Sequence, residues 1–478
     1  MNKDAFRLFD ADRCRESLDE NVKLVREFAA HDGFRSATVE ELELDEDFYR
    51  RPLRPEDLSF IDFSKPVNID TVARLPSLAS QRMLLCINEL QSCRLPRDRR
   101  PESFAEYARF YGDASQILAA RVRPFLENFA FGHLRNEEMQ GPLIAAHTSA
   151  LEELFDEELK FWTGNLERLR EAKYVEDGLR FTLIQKWGLA ASKQSALAKA
   201  GALGYFDGLG SADWPRLDRD PAAADLARRL ATHCHVTKRE HSYWQFYLST
   251  SLGECNLLHA LASRPDRALA FWGAAFAADG AAIAFDELVR NAAGGLGLAG
   301  IAARDVKTDV REWLARANRA LTLVSERYGE QGVRAVGAGI GVAAAHAAAA
   351  RANLGDQLRW LSSVEKYRDL AKAISARIDT ECPDIDRETF VEPREMCSTT
   401  HVHDDHRLVV IESGKMVFWG NLGMKLRLAP GEMVLVPEGR LHGSSIESDE
   451  CTYHQPIIPD EWVRPLLGEL DATSSAGR

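Results

Sequence analysis

Apolar residues recur at helical spacing through most of the chain and change to short runs broken by turns only near its end. Segments such as SQILAARVRPFLENFAFGHL, TSALEELFDEELKFWTGNLERLREAKY, HSYWQFYLSTSLGECNLLHALAS and DVREWLARANRALTLVSERYG place apolar side chains three and four positions apart, which gathers them on one helix face. Several helices of this length must bury their stripes on one another, so the spacing predicts a bundle from about Phe104 to about residue 375. The alanine-rich GAGIGVAAAHAAAARANL favours helix, and its small side chains permit close helix contact. Upstream, Pro52, Pro55 and Pro66 interrupt any continuous helix across residues 45 to 70. Helical spacing returns from Val72 to Leu95, with Leu75, Leu78, Met83, Leu84, Ile87 and Leu90 on one broad face. After Asp379 the runs HRLVVIESGKMVFWG, KLRLAPGEMVLVPEG and CTYHQPII read as strands, with Gly414 and Pro430-Gly431 where antiparallel strands would reverse.

This pattern predicts an α+β multidomain protein. Residues 1–125 are expected to form a helical packing or assembly region, 126–378 a central helical domain, and 379–478 an all-β domain. At 478 residues and 45% hydrophobic, the chain can bury a core in each. Lys and Arg number 60 against 73 Asp and Glu, a net charge of -13, which argues against nucleic acid or an anionic membrane as partner. The opening MNKDAFRLFDADRCRESLDE has no apolar core of signal-peptide length, and no unbroken apolar run reaches about 18 residues, so a cytoplasmic protein is expected. Eight scattered cysteines without a CxxC pair are expected to be unpaired core residues.

The candidate chemistry lies in THVHDDH. His401 and His403 are two apart, so in a strand they share one face, and His442 follows one strand and turn system later. Neutral imidazoles are good ligands for first-row divalent ions, and three of them leave up to three positions on an octahedral ion for substrate and dioxygen. An HxH alone is more often a solvated surface stretch than a metal site. The series Gly431, Pro437, Gly439 and His442 changes that balance, because HxH followed by G-x5-P-x-G-x2-H resembles the two-part signature of the cupins. The resemblance implies a C-terminal cupin β-barrel. Where many cupins add a glutamate ligand, this chain reads DDHRLVV, so the expected site is three-histidine, with Arg407 as a catalytic contact to an anion or carboxylate. Asp404, Asp405 and His406 are expected at the rim, with His406 as an alternative further ligand.

A closer resemblance spans nearly the full length. YRRPLRPEDLSFIDF, SQRMLLCINEL, VRPFLENFAFGHL, GALGYF, HSYWQFYLSTSL and RLHGSSIESDECTYH fall in order as in the three-domain N-nitrosating non-heme iron enzymes of streptozotocin biosynthesis. That family implies a helical dimerisation region, a central heme-oxygenase-like domain in which two irons hydroxylate guanidine nitrogens, and a cupin whose single iron makes an N–N bond. His401, His403 and His442 match the cupin ligands. The diiron ligands do not carry over. Lys193 stands near the place of a first glutamate, and His233 and His235 come late. Asp305, Asp309 and Glu312 stand where a histidine, aspartate, histidine pattern is expected; they share a helix face and read as solvated beside Arg311 and Arg316. Glu240, His241, Glu254 and His259 read as dispersed helix residues.

The resemblance implies an oxygen-dependent enzyme with one Fe(II) per chain. Dioxygen would be its co-substrate, and a small N-hydroxylated guanidine or related nitrogen-rich molecule its substrate. A homodimer and a separate N-hydroxylating enzyme are the expected partners. The alternatives are a dioxygenase or isomerase for an unrelated small molecule, and a non-catalytic metabolite-binding assembly protein.

Overall fold

The computed structural model describes residues 7–34, 52–53, 55–91, 101–134, 143–171, 175–216, 221–236, 243–298, 305–394, 397–421 and 424–475. Helices dominate the first three quarters. They are α1 (Leu18–Ala30), α2 (Leu75–Glu89), α3 (Pro101–Phe110), α4 (Asp113–Phe131), α5 (Leu143–Glu171), α6 (Val175–Trp187), α7 (Ala190–Ala202), α8 (Pro221–His233), α9 (Ser249–Ala262), α10 (Ala268–Gly295), α11 (Val306–Ser362) and α12 (Val364–Glu381). Pro76 sits in the first turn of α2, where its missing N–H costs nothing. Every residue of α2 from Ser77 to Glu89 is buried, not only the apolar face that the spacing marks out. Two of its polar residues pair with another helix: Asn88 Nδ2 donates to Asn256 Oδ1 on α9, and Asn256 Nδ2 donates to Gln81 Oε1, each at 2.8 Å.

Small residues set the closest contact in the bundle. A Cβ on Gly273 of α10 would overlap the carbonyl oxygen of Val336, and one on Gly339 of α11 would overlap that of Ala270. The two backbones therefore touch, as the alanine-rich segment suggested. That segment continues the DVREWLARANRALTLVSERYG helix into the 57-residue α11, bent at Gly329 (φ 63°, ψ -161°). Residues 265–295 and 306–362 are long and apolar enough to cross a membrane by length and composition, and 72% and 50% of their most apolar stretches are buried inside the protein. Cys14, Cys234, Cys255, Cys382 and Cys451 are free thiols.

The strands are β1 (Thr389–Pro393), β2 (Cys397–His401), β3 (His406–Ser413), β4 (Met416–Asn421), β5 (Met424–Leu428), β6 (Met433–Val436), β7 (His442–Ile446), β8 (Glu450–His454) and β9 (Ile457–Ile458), followed by α13 (Asp460–Ser475). They do not form the cupin barrel that the motif implied. One sheet runs β1-β8-β3-β6 with β9 also on β3, the other runs β2-β7-β4-β5, and among the described residues no strand pairs across from one to the other. The sheets are held by side chains instead: Leu408, Ile411, Val434 and Tyr453 share a core with Met416, Phe418, Leu428 and Ile446. Tyr367, Ala371, Ile374 and Ile378 of α12 join that core. Val434, Leu435 and Val436 are all fully buried although neighbours on a strand face opposite ways, because β6 has the opposing sheet on one side and α12 on the other. The result is a mostly helical body with an open two-sheet region at its C-terminal end.

Candidate metal centre

β2 ends at His401 and β7 begins at His442, and the antiparallel register sets these two residues opposite each other. His403 lies two positions on, while Val402 between them points away into the helical core, where it is 4% exposed. Ring centroids are 4.5 Å apart for His401 and His442, 4.8 Å for His401 and His403, and 4.9 Å for His403 and His442. One ring nitrogen from each lies within 4.8 Å of the others, close enough to share one ion. Among the described residues no other set of three His, Cys, Asp or Glu comes together in this way.

The protonation states suit a metal. His442 donates from Nδ1 to the carbonyl oxygen of Arg440 at 2.8 Å, which leaves the lone pair on Nε2. Among the described residues, the Nε2 atoms of His442 and His403 are both buried without a hydrogen-bond partner. Burial, then the imidazoles of His442 and His401, then Arg407, push the His403 pKa far below the ordinary imidazole value. Burial and His401 do the same to His442. Neutral nitrogens facing one another without donors are what a divalent ion requires. Phe418 stacks on His442, with centroids 5.3 Å apart and planes at 19°.

The helical body braces this constellation. Gly439, at φ 69°, donates its N–H to the carbonyl of His403 at 2.9 Å, a turn that favours glycine. Gln357 of α11 donates from Nε2 to the carbonyl of Gly439 at 2.8 Å and accepts the N–H of Leu441 on Oε1 at 3.3 Å. Arg82 of α2 donates from Nη2 to the carbonyls of Thr400 and Gln245, both at 3.0 Å. Asp404 accepts the N–H of Leu75 at the start of α2 at 2.8 Å. Gln357 and Arg82 carry no local sequence signal, because their partners lie far away in the chain.

The remaining candidates are placed differently. Arg407 turns its guanidinium to Asp405, to Glu388 and to the carbonyl of Gln455, so its N–H groups are already engaged. Both ring nitrogens of His406 are used, Nδ1 accepting from the N–H of Glu438 at 3.0 Å and Nε2 meeting Asp460 at 3.1 Å. It is a brace between two segments and has no lone pair left for an ion.

In the helical core, Glu254 is held between Lys193 at 2.9 Å and Lys186 at 3.1 Å, and Glu158 pairs with Arg351 at 2.9 Å. Each oxygen of Glu254 meets an ammonium group, and Arg351 holds one oxygen of Glu158 and also meets Glu157, so cations crowd the place where ligands would be needed. Asp305 caps α11 by accepting from the N–H of Lys307, Asp309 pairs with Arg290 at 3.6 Å, and Glu312 is half-buried on the same helix. His233 pairs with Glu176 at 3.4 Å, and His235 occupies a left-handed backbone position. His259 lies against Ser192. Glu240 and His241 lie outside the described residues. These groups do not fit a dimetal centre.

No protein-family model matches the chain. It is similar to the nitrosourea synthase of Streptomyces achromogenes subsp. streptozoticus, at 27% identity over 431 residues, which cover 86% of this chain and 90% of that protein. The likeness is that of a distant homologue over most of both chains, and with the histidine cluster it supports an enzyme with a metal-binding site.

Proposed function

We propose that the chain is a mononuclear non-heme iron enzyme that uses dioxygen on a small N-hydroxylated guanidine or related nitrogen-rich substrate and forms an N–N bond. The observation that carries the metal is the pair of buried Nε2 atoms of His403 and His442, unpartnered and turned into a cluster with His401. The substrate class rests on the similarity to a protein named as a nitrosourea synthase. Bound by three imidazoles, ferrous iron would supply one-electron chemistry with dioxygen.

The chain's own residues prepare the site. The Arg440 carbonyl fixes the proton of His442 on Nδ1, and Phe418 covers one face of that ring against water. Arg407, pinned by Asp405 and Glu388, is a fixed positive charge that helps to hold His403 neutral. The substrate arrives already N-oxygenated from a separate hydroxylating enzyme, since the ion-paired carboxylates of the helical core are unsuited to a second iron centre.

The test is anaerobic loading of the whole chain with ferrous iron, followed by oxygen uptake with N-hydroxyguanidine amino acids. Uptake with appearance of an N-nitroso product is expected. Turnover of a carbon substrate with none on N-hydroxyguanidines would overturn the nitrogen reading.

A further inference from the structure

The side chain that fixes the third histidine comes from the helical body, at the far end of its longest helix. Gln357 is fully buried on α11, and both ends of its amide are committed to the turn before β7. Nε2 holds the carbonyl of Gly439 and Oε1 holds the N–H of Leu441. Those are the peptide groups on either side of Arg440, whose carbonyl accepts the Nδ1 proton of His442. The preceding residue on the helix, Asp356, meets the Arg440 guanidinium at 3.3 Å. Leu441 itself is 1% exposed and packs with the helical core, not with the core between the sheets.

We propose that Gln357 is a positioning residue for the metal centre, setting the direction of the His442 imidazole by clamping the two peptides that flank Arg440. The amide is suited to this work because its NH2 and its oxygen sit on one carbon, so that a donor and an acceptor side by side match one carbonyl and one N–H. An imidazole whose Nδ1 partner drifts loses its orientation toward an ion, even though no ligand has been removed. The clamp also ties the open two-sheet region to the helices, so the ligand geometry depends on where α11 ends. This inference rests on the metal reading of the three histidines.

The experiment replaces Gln357 in the full chain by Met, which keeps the length and removes both hydrogen bonds. Three readouts are taken: anaerobic ferrous titration, the electron paramagnetic resonance spectrum of the ferrous protein with nitric oxide, and amide exchange of residues 437–443 without metal. Gln357→Met is expected to weaken ferrous binding by about 10- to 100-fold, change the nitrosyl spectrum and speed exchange at Leu441. Asp356→Ala, on a partly exposed pair, is expected to fold normally and weaken binding by about two- to fivefold. Wild-type affinity and spectrum in Gln357→Met, or in Gln357→Glu, which keeps the acceptor and loses the donor, should the first variant not fold, would overturn the positioning role alone. A wild-type chain that takes up no ferrous ion would overturn the metal reading and this inference together.

Discussion

His442 and Arg440 are two residues apart, and the imidazole Nδ1–H of the first reaches the carbonyl oxygen of the second at 2.8 Å. Because the acceptor belongs to the main chain, the Arg440 side chain is dispensable to the contact. Arg440→Ala is therefore expected to cost less than about tenfold in metal affinity, whereas His442→Ala removes a ligand and should cost more than about 100-fold. Metal analysis after anaerobic loading and desalting separates the two. Iron retained by His442→Ala at the wild-type level would remove His442 from the centre.

The buried histidines make the folded chain sensitive to acid. His259 is pushed down to about 4, first by burial and then by Arg123. In the unfolded chain the same group takes its proton near pH 6.5. The contribution is thus fully present above about pH 6.5 and is lost as pH falls toward 4, because only the unfolded state binds the proton in that window. At pH 5 the loss from this one residue is about 2 kcal/mol. Burial lowers His133 to about 4 and also lowers His147 and His346, so they act in the same direction. Urea unfolding at pH 7 and pH 5 should show the wild type much weaker at pH 5 and His259→Gln with a smaller difference. Equal wild-type stability at the two values would contradict the argument.

The helices and the histidine pairing were legible because both depend on short-range periodicity. Apolar spacing of three and four marks α4 and α5, and the two-residue step in HVH turns Val402 to the core while His401 and His403 face His442. Barrel closure was not legible: alternation along β3 and β6 tells which face is buried, but not whether an edge strand finds a partner in the other sheet. The full burial of α2 was also hidden, since Gln81, Arg82 and Asn88 read as a polar face until their partners on other elements are known. For the same reason Lys193 alone suggested only a residue hostile to metal. Its pairing with Glu254 depends on α7 meeting α9.

That pairing has a measurable cost when broken. Glu254 is held well below the usual carboxylate range by Lys186 and Lys193, against the opposing effect of burial. Glu254→Ala leaves two largely buried ammonium groups without the carboxylate they share and is expected to destabilise the chain by about 3–5 kcal/mol. Lys193→Met leaves Lys186 in place and should cost less, about 1–3 kcal/mol. Bound iron should be unchanged in both, since neither residue touches the histidine cluster. If iron falls in either variant while the fold persists, the helical core holds metal after all.

Two glycines in helices separate packing from helix propensity. Alanine is favoured over glycine in a helix interior by about 1 kcal/mol, so propensity alone would make Gly→Ala stabilising at both positions. At Gly294 of α10 none of the described residues lies within 4 Å of the added Cβ, and Gly294→Ala should stabilise the chain by about 0.5–1 kcal/mol. At Gly339 the Cβ would overlap the carbonyl oxygen of Ala270, a backbone atom that cannot rotate aside. Separating α10 from α11 there costs about 1–3 kcal/mol or more, which outweighs the propensity gain. Thermal melts of the two variants should therefore shift in opposite directions. Since α11 also carries Gln357 to the turn before His442, Gly339→Ala should weaken ferrous binding as well, while Gly294→Ala leaves it unchanged. A stabilised Gly339→Ala chain would show that the two helices are not in backbone contact.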